Sequence, residues 1–451
     1  MSLLLEPLRT AYKAIKRSLT PQQHLFYGFL AYVLAGTILL RLPWLQKTSA
    51  PLLDHLFIAV SAVSTTGLVT MSVFDTYNFG GQLVILALFQ IGGIGYLVFT
   101  TFLLLSTTRK MTAWHKSVLN TEFKLPETIN IRDFLRSVVF FTLIMEALGA
   151  VLFFMVFKTD GVEIGEAIWL SIFHSVSAFC TAGFSLFDNS FIDYIDNSLV
   201  NFTISMLTLC GSLGFIVITD FGLLLRRKKH HLTFTTKIVT IGSLILLTAG
   251  FLFFYFGEPV ISNLEGSARV SAAFFQSMTS MTTVGFYTVD VSTFILPILL
   301  VTIFLMYVGA SPSGTAGGMK ITTLTAILAI LNSRLKGYEK IKFFGKEIPI
   351  ERLYVATAAF IFYTVLISLG TFFLTFSEDF QFEALLFEVA SALGTVGLTT
   401  GITPDLSVFG KIVLIILMFI GRLGVLTFGL AVWSTHIQAK KEQTSENDLA
   451  V

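Results

Sequence analysis

Threonine and glycine recur in one short pattern at four places: AVSTTGLVT at 62–70, AFCTAGFSL at 178–186, SMTTVGFYT at 280–288 and ALGTVGLTT at 392–400. Each holds Thr, any residue, Gly, then Leu or Phe. The glycines at 67, 183, 285 and 397 are 116, 102 and 112 residues apart. The chemistry on offer is uncharged oxygen. Glycine tolerates backbone angles closed to other residues and keeps the space beside it clear, and threonine adds a hydroxyl or carbonyl oxygen. Four such turns around one axis would form rings of carbonyls that replace the water around a dehydrated cation. Four tight packing turns in a transporter scaffold are the plainer alternative, but they leave the repetition unexplained.

Two further features could do chemistry. The stretch GASPSGTAGGMK, 309–320, is rich in glycine and small hydroxyl residues and ends in lysine. It is not a phosphate loop, because GxxxxGK[ST] needs Gly directly before Lys and Ser or Thr after it. Gly318, Met319, Lys320 and Ile321 stand there instead. Pro312 removes a helix donor and the glycines disfavour a helix, so the stretch interrupts a helix between two apolar runs. A passive kink is the simpler reading; an occluding plug is the sharper one. Arg422, in FIGRLGVLTFG, lies within the apolar stretch from Val408 to Trp433. A charge there is costly and must face protein or water, either as a barrier to cations or in a salt bridge to Glu388 or Glu146.

The elements around these residues also repeat. Each T-x-G follows a short amphipathic segment of about 12–14 residues, too short to cross the roughly 30 Å of hydrocarbon. Long apolar segments flank each pair, near 24–41, 134–158, 236–257 and 353–376 before, and near 80–106, 199–225, 293–333 (broken) and 408–433 after. His174, Gln276 and Glu388 occupy matching places in three short segments, where they are expected to hydrogen-bond the turns rather than bind ions. GGIG at 92–95 and GSLG at 211–214 are expected to permit close helix contact behind the turns. The expected organisation is an N-terminal segment 1–23, then repeats at 24–116, 134–230, 236–335 (interrupted at 309–320) and 353–435, then a tail at 436–451.

Composition fixes the solvent. The 451 residues are 54% hydrophobic and 13% charged, against about 25% charged in a soluble domain. This excludes a soluble fold and indicates an all-α polytopic membrane protein, with four tandem helix, pore-helix, loop, helix repeats in pseudo-fourfold arrangement around a central ion pore. Lys and Arg cluster at 9–17, at Arg109, Lys110 and Lys116, in RRKKHH at 226–231, at 334–346 and at Lys440 and Lys441, while acidic residues prevail in the alternate connections. The positive-inside rule then places both termini in the cytoplasm and the protein in the cell membrane. RRKKHH reads as a topology anchor, not a nucleic-acid site. Asp54, Glu163, Glu166, Glu265, Glu383 and Asp405 would lie outside and concentrate cations, although each is individually an ordinary loop charge. Cys180, Cys210, His115, His230 and His231 show no metal or disulfide spacing.

Taken together, TTG at 65–67, TAG at 181–183, TVG at 283–285 and 395–397, GGIG, GSLG, GRLG at 421–424 and the broken third-repeat helix resemble the Trk/Ktr/HKT superfamily of potassium transporters. The resemblance spans about 24–433 and is nearest to its bacterial KtrB-type membrane subunits. It implies potassium uptake, with potassium bound at filter backbone carbonyls of Thr65, Thr66, Gly67, Thr181, Ala182, Gly183, Thr283, Val284, Gly285, Thr395, Val396 and Gly397. Glycine at all four filter positions implies potassium over sodium, since serine at the first accompanies sodium preference in relatives. It also implies a gate formed by Gly309, Ala310, Ser311, Pro312, Ser313, Gly314, Thr315, Ala316, Gly317, Gly318 and Lys320, and places Arg422 below the filter. A homodimer and a cytoplasmic nucleotide-binding ring of KtrA type are the implied partners. Bacterial Ktr systems are commonly sodium-stimulated, a trait that no residue in this chain establishes. No enzyme activity and no covalent cofactor are expected. A sodium-permeable channel or sodium/potassium symporter of the same architecture is the alternative, and a non-transporting membrane enzyme or scaffold the remote one.

Overall fold

A computed structural model describes residues 19–95, 131–225, 231–309, 311–312 and 314–433. The basic segments at 9–17, 109–116, 226–230 and 440–441, His115, and the gate residues Ala310 and Ser313 lie outside these residues.

Each repeat starts with a long apolar helix. These are α1 (Pro21–Leu40), α4 (Ile131–Thr159), α8 (Phe234–Gly257) and α12 (Ile350–Ser377). All four contain a window long and apolar enough to cross a membrane. Thr20 and Gln23 cap α1 reciprocally, at 3.2 and 3.0 Å, satisfying two helix-end donors that lipid could not. Shorter helices follow: α2 (Leu52–Val63), α5 (Ile164–Phe179), α9 (Gly266–Thr282) and α13 (Phe382–Gly394). Each leads into its T-x-G turn.

Second long segments complete the repeats; the third carries the long interruption, and the structure adds short breaks in the others that the sequence reading did not mark. α3 (Phe79–Ile94) ends at Gly95, while α6 (Ser198–Ser212) and α7 (Phe215–Leu225) meet at 95° and α14 (Val408–Leu423) and α15 (Val425–Trp433) at 99°. The cause is one left-handed glycine in each case, with φ +89° at Gly95, +84° at Gly214 and +83° at Gly424, a conformation that ends a helix. In the third repeat α10 (Leu296–Tyr307) and α11 (Ile321–Leu335) are separated by a longer insertion. Its ends, β1 (Val308–Gly309) and β2 (Met319–Lys320), pair in parallel, so the insertion is a closed loop.

Every short helix packs between the two long elements of its own repeat. The second helix of each repeat also meets the short helix of the next: α3 with α5, α6 with α9, α10 with α13, and α14 with α2. The last pair joins repeat four to repeat one, so the repeats close into a ring. Lys411 of α14 and Asp54 of α2 form a half-buried ion pair of 3.0 Å across that closure. The core is unusually rich in buried Ser and Thr along the short helices, which is where the turns need partners.

Candidate functional site

The four T-x-G turns share one backbone geometry. Thr65, Thr181, Thr283 and Thr395 are left-handed, with φ of +51°, +50°, +57° and +47°, and Gly67, Gly183, Gly285 and Gly397 follow at +90°, +68°, +83° and +90°. A left-handed β-branched residue is strained, and such strain persists only where the surroundings over-determine it. Two sets of hydrogen bonds do so. The amides of Thr66, Ala182, Val284 and Val396 donate to the carbonyls of Ser61, Ser177, Thr279 and Ser391, at 2.8, 2.8, 3.3 and 2.9 Å. The side-chain hydroxyls of those same four residues brace the turns again. Ser61 and Ser391 accept from the amides of Gly67 and Gly397, both at 3.1 Å. Ser177 and Thr279 donate to the carbonyls of Phe184 and Phe286, at 2.8 and 2.6 Å.

The turns also touch one another in a cycle. A β-carbon added to Gly67 would lie 2.6 Å from the carbonyl oxygen of Ala182. Gly183 stands in the same relation to Val284, Gly285 to Val396, and Gly397 to Thr66, all closer still. Only glycine fits such an approach. A closed ring of four uncharged oxygens is therefore lined up turn to turn, the arrangement that can take the place of a monovalent cation's hydration shell.

His174, Gln276 and Glu388 hold the segments leaving the turns, as expected. Leu186 donates its amide to His174 Nε2 at 3.2 Å, and His174 Nδ1 faces the Leu170 carbonyl at 2.9 Å, which assigns the proton to Nδ1. Gln276 donates to the Val289 carbonyl at 2.9 Å. Glu388 accepts from the Thr399 hydroxyl, the Thr400 amide and the Thr403 hydroxyl at 2.5, 3.0 and 2.7 Å. Repeat one has Ile58 at this position. The hydroxyl six residues before each turn glycine escaped the sequence reading, because the column Ser61, Ser177, Thr279 and Ser391 stands one position before the aligned segments.

The 309–320 loop lies against the inner ends of these turns. Gly317 donates its amide to the Thr283 hydroxyl at 2.8 Å and is packed against Gly394 and Thr395 of repeat four. Ser311 and Thr315 donate their amides to the carbonyls of Ser212 and Gly211, at 3.2 and 3.1 Å. Lys320 turns back on its own loop, donating to the carbonyls of Ala316 and Gly317 at 2.6 and 3.1 Å. Arg422 donates to the Thr315 carbonyl at 2.5 Å and to the carbonyls of Gly92 and Gly93. The carboxylates named as its alternative partners are engaged elsewhere, Glu388 by its threonines and Glu146 by Gln90 at 3.1 Å. The first glycine of each G-x-x-G motif, Gly92, Gly211 and Gly421, abuts the last-turn carbonyl of a short helix, which is the close contact expected behind the turns.

On the side of the loop away from the turns opens a cavity of about 1030 Å³, bounded by Phe215, Ala316, Lys320, Tyr363 and Arg422 among others. At the opposite end a groove of about 960 Å³ is lined by Asp160, Glu166, Asp188, Asp193 and Asp196. Some acids have structural work instead. Glu258 and Glu378 accept the amides that open α10 and α14, from Ile295 at 3.2 Å and Ser407 at 2.9 Å. Among the described residues no cluster of His, Cys, Asp or Glu could hold a metal ion.

Residues 8–444 match the TrkH cation transport protein family. The chain is 34% identical to the potassium/sodium uptake protein NtpJ of Enterococcus hirae, over 96% of this chain and 98% of that one. It is 33% identical to the Ktr system potassium uptake protein B of Vibrio alginolyticus, covering 89% and 88%. The crystal structure of the potassium transporter TrkH from Vibrio parahaemolyticus superimposes with a TM-score of 0.68 over 90% of this chain and 84% of that one, at 21% identity, a likeness of fold. With four tandem repeats closed around glycine turns, this chain belongs to the TrkH family of cation transport proteins.

Proposed function

We propose that the chain takes up potassium through a pore on the axis of its four repeats, with the T-x-G turns as selectivity filter. The observation that carries this is the cyclic approach of each turn glycine to the carbonyl of the next repeat, which supplies a full ring of uncharged oxygens. All four positions are glycine, which favours potassium. The relative named for both potassium and sodium uptake keeps sodium as the second cation. The test is potassium-limited growth and rubidium uptake in cells lacking their own potassium systems, comparing the wild type with Gly67→Asp and Gly397→Asp. Loss of both growth and uptake is expected. Sodium uptake that potassium fails to compete would replace this reading with a sodium channel or symporter.

The 309–320 loop is the gate in this reading, and it occludes the path until a partner acts. Its position between the turns and the large cavity supports that role. Deleting 311–318 is expected to raise flux; lower flux in a well-folded deletion would refute it. Kinship with proteins named as parts of Ktr systems supports a cytoplasmic nucleotide-binding ring and a homodimer as the working assembly. The basic residues from Arg334 to Lys346 support a cytoplasmic position for that linker and for both termini.

A further inference from the structure

The four innermost threonine hydroxyls are chemically unequal. Those of Thr65 and Thr395 are buried and have no hydrogen-bond partner. That of Thr181 donates to the adjacent Cys180 carbonyl at 2.8 Å. Thr283 alone of the four is met by a donor from a distant segment, the amide of Gly317 in the loop, 34 residues on. Gly317 is also packed closely against repeat four, where an added β-carbon would collide with Thr395 and Gly394. The loop is thus hydrogen-bonded to one quadrant of the ring while packed against the next, and the acceptor of that bond is a threonine oxygen of the turn itself.

We infer that Thr283 is a positioning residue for the loop as well as a lining residue of the filter, so that loop position and ion occupancy of the innermost layer are coupled. This rests on the reading of the T-x-G ring as filter and of 309–320 as gate. The physical reason is competition for one oxygen. A hydroxyl oxygen that accepts an N–H has that donor's positive end pointed at it, and a cation approaching the same oxygen meets this dipole. With the loop seated, the Thr283 oxygen serves Gly317. With the loop withdrawn, it joins the hydroxyls of Thr65 and Thr395 in having no protein donor. Coupling of this kind is reciprocal: withdrawal favours the innermost cation, and that cation favours withdrawal.

The test uses the full chain in liposomes, with hydrogen–deuterium exchange over residues 314–319 and rubidium flux as separate readouts. Thr283→Val removes the acceptor at nearly constant volume, and Thr283→Ser restores it. Thr282→Val removes a hydroxyl that bonds only within its own helix, to the Met278 carbonyl at 2.6 Å and more loosely to the Met278 sulfur, and serves as control. Exchange of the loop peptide should rise about two- to tenfold in Thr283→Val, the shift expected for one neutral hydrogen bond, and stay at the wild-type level in Thr283→Ser and Thr282→Val. In the wild type, potassium should speed that exchange relative to choline, and in Thr283→Val it should not. Unchanged exchange in Thr283→Val, or an equal potassium effect in both, overturns the proposal whatever happens to flux. Failure of the 311–318 deletion to raise rubidium flux would instead overturn the gate reading beneath it.

Discussion

The guanidinium of Arg422, in the second helix of repeat four, donates to the carbonyl of Thr315 in the loop of repeat three. The same group reaches Gly92 and Gly93 at the end of the second helix of repeat one. One cation therefore ties three repeats together beneath the ring of turns. Arg422→Gln keeps a shorter donor and removes the charge. Tracer flux is expected to rise several-fold if Arg422 is a barrier to cations, because the charge is removed and the tie to the loop weakens. Thermal stability should fall by about 1–3 kcal/mol as carbonyls lose a charged donor. Unchanged flux with lower stability would leave Arg422 a structural role alone.

Gly285 is left-handed and faces the Val396 carbonyl without space for a methyl group. Gly285→Ala should abolish rubidium uptake, since the strain of a left-handed alanine, roughly 1 kcal/mol, adds to a direct clash with a ring oxygen. Expression and size-exclusion behaviour should survive. Uptake within twofold of wild type would show that this carbonyl ring is dispensable for transport.

Glu388 is fully buried and accepts from four donors of the segment after Gly397, the Thr400 hydroxyl at 3.4 Å being the loosest. Glu388→Ala would leave all four without that acceptor, at a cost of about 3 kcal/mol or more. Glu388→Gln retains one acceptor oxygen and should lie between. Melting in detergent measures the order, and competition of sodium against rubidium uptake should show poorer discrimination in the alanine variant. Equal melting of all three proteins would mean that water takes over the carboxylate's contacts.

Asp54 and Lys411 close the ring between repeats one and four, with side chains only 13% and 15% exposed. A double-mutant cycle with Asp54→Asn and Lys411→Met should give a coupling of about 1 kcal/mol, near the upper range for exposed pairs because water screens this one less. A coupling near zero would show that packing of α14 on α2 suffices for closure.

Much of the site was legible in the residues because its signals are local or repeated. T-x-G at four near-equal intervals identifies the turns, since only glycine takes such angles without strain and the repetition removes chance. GASPSGTAGGMK identifies a helix break by composition alone. The bends at Gly214 and Gly424 were harder to see. A G-x-x-G motif serves equally well for close helix packing and for termination, and the sequence does not say which glycine will turn left-handed. Both happen in the structure: the first glycine packs against a short helix and the last ends its own helix.

The sequence by itself determined the membrane setting, the fourfold count, the turn glycines and the presence of a costly charge at Arg422. These follow from hydropathy, spacing and the conformational range of single residues. Only the tertiary structure decided that the turns close cyclically, that Arg422 donates hydrogen bonds to carbonyls of two other repeats, and that the Gly317 amide donates to Thr283 rather than to any of its three equivalents. Those relations join residues 34, 107 and more than 300 positions apart. Nothing local encodes such pairings, because they arise from how four similar units pack once their helices have formed.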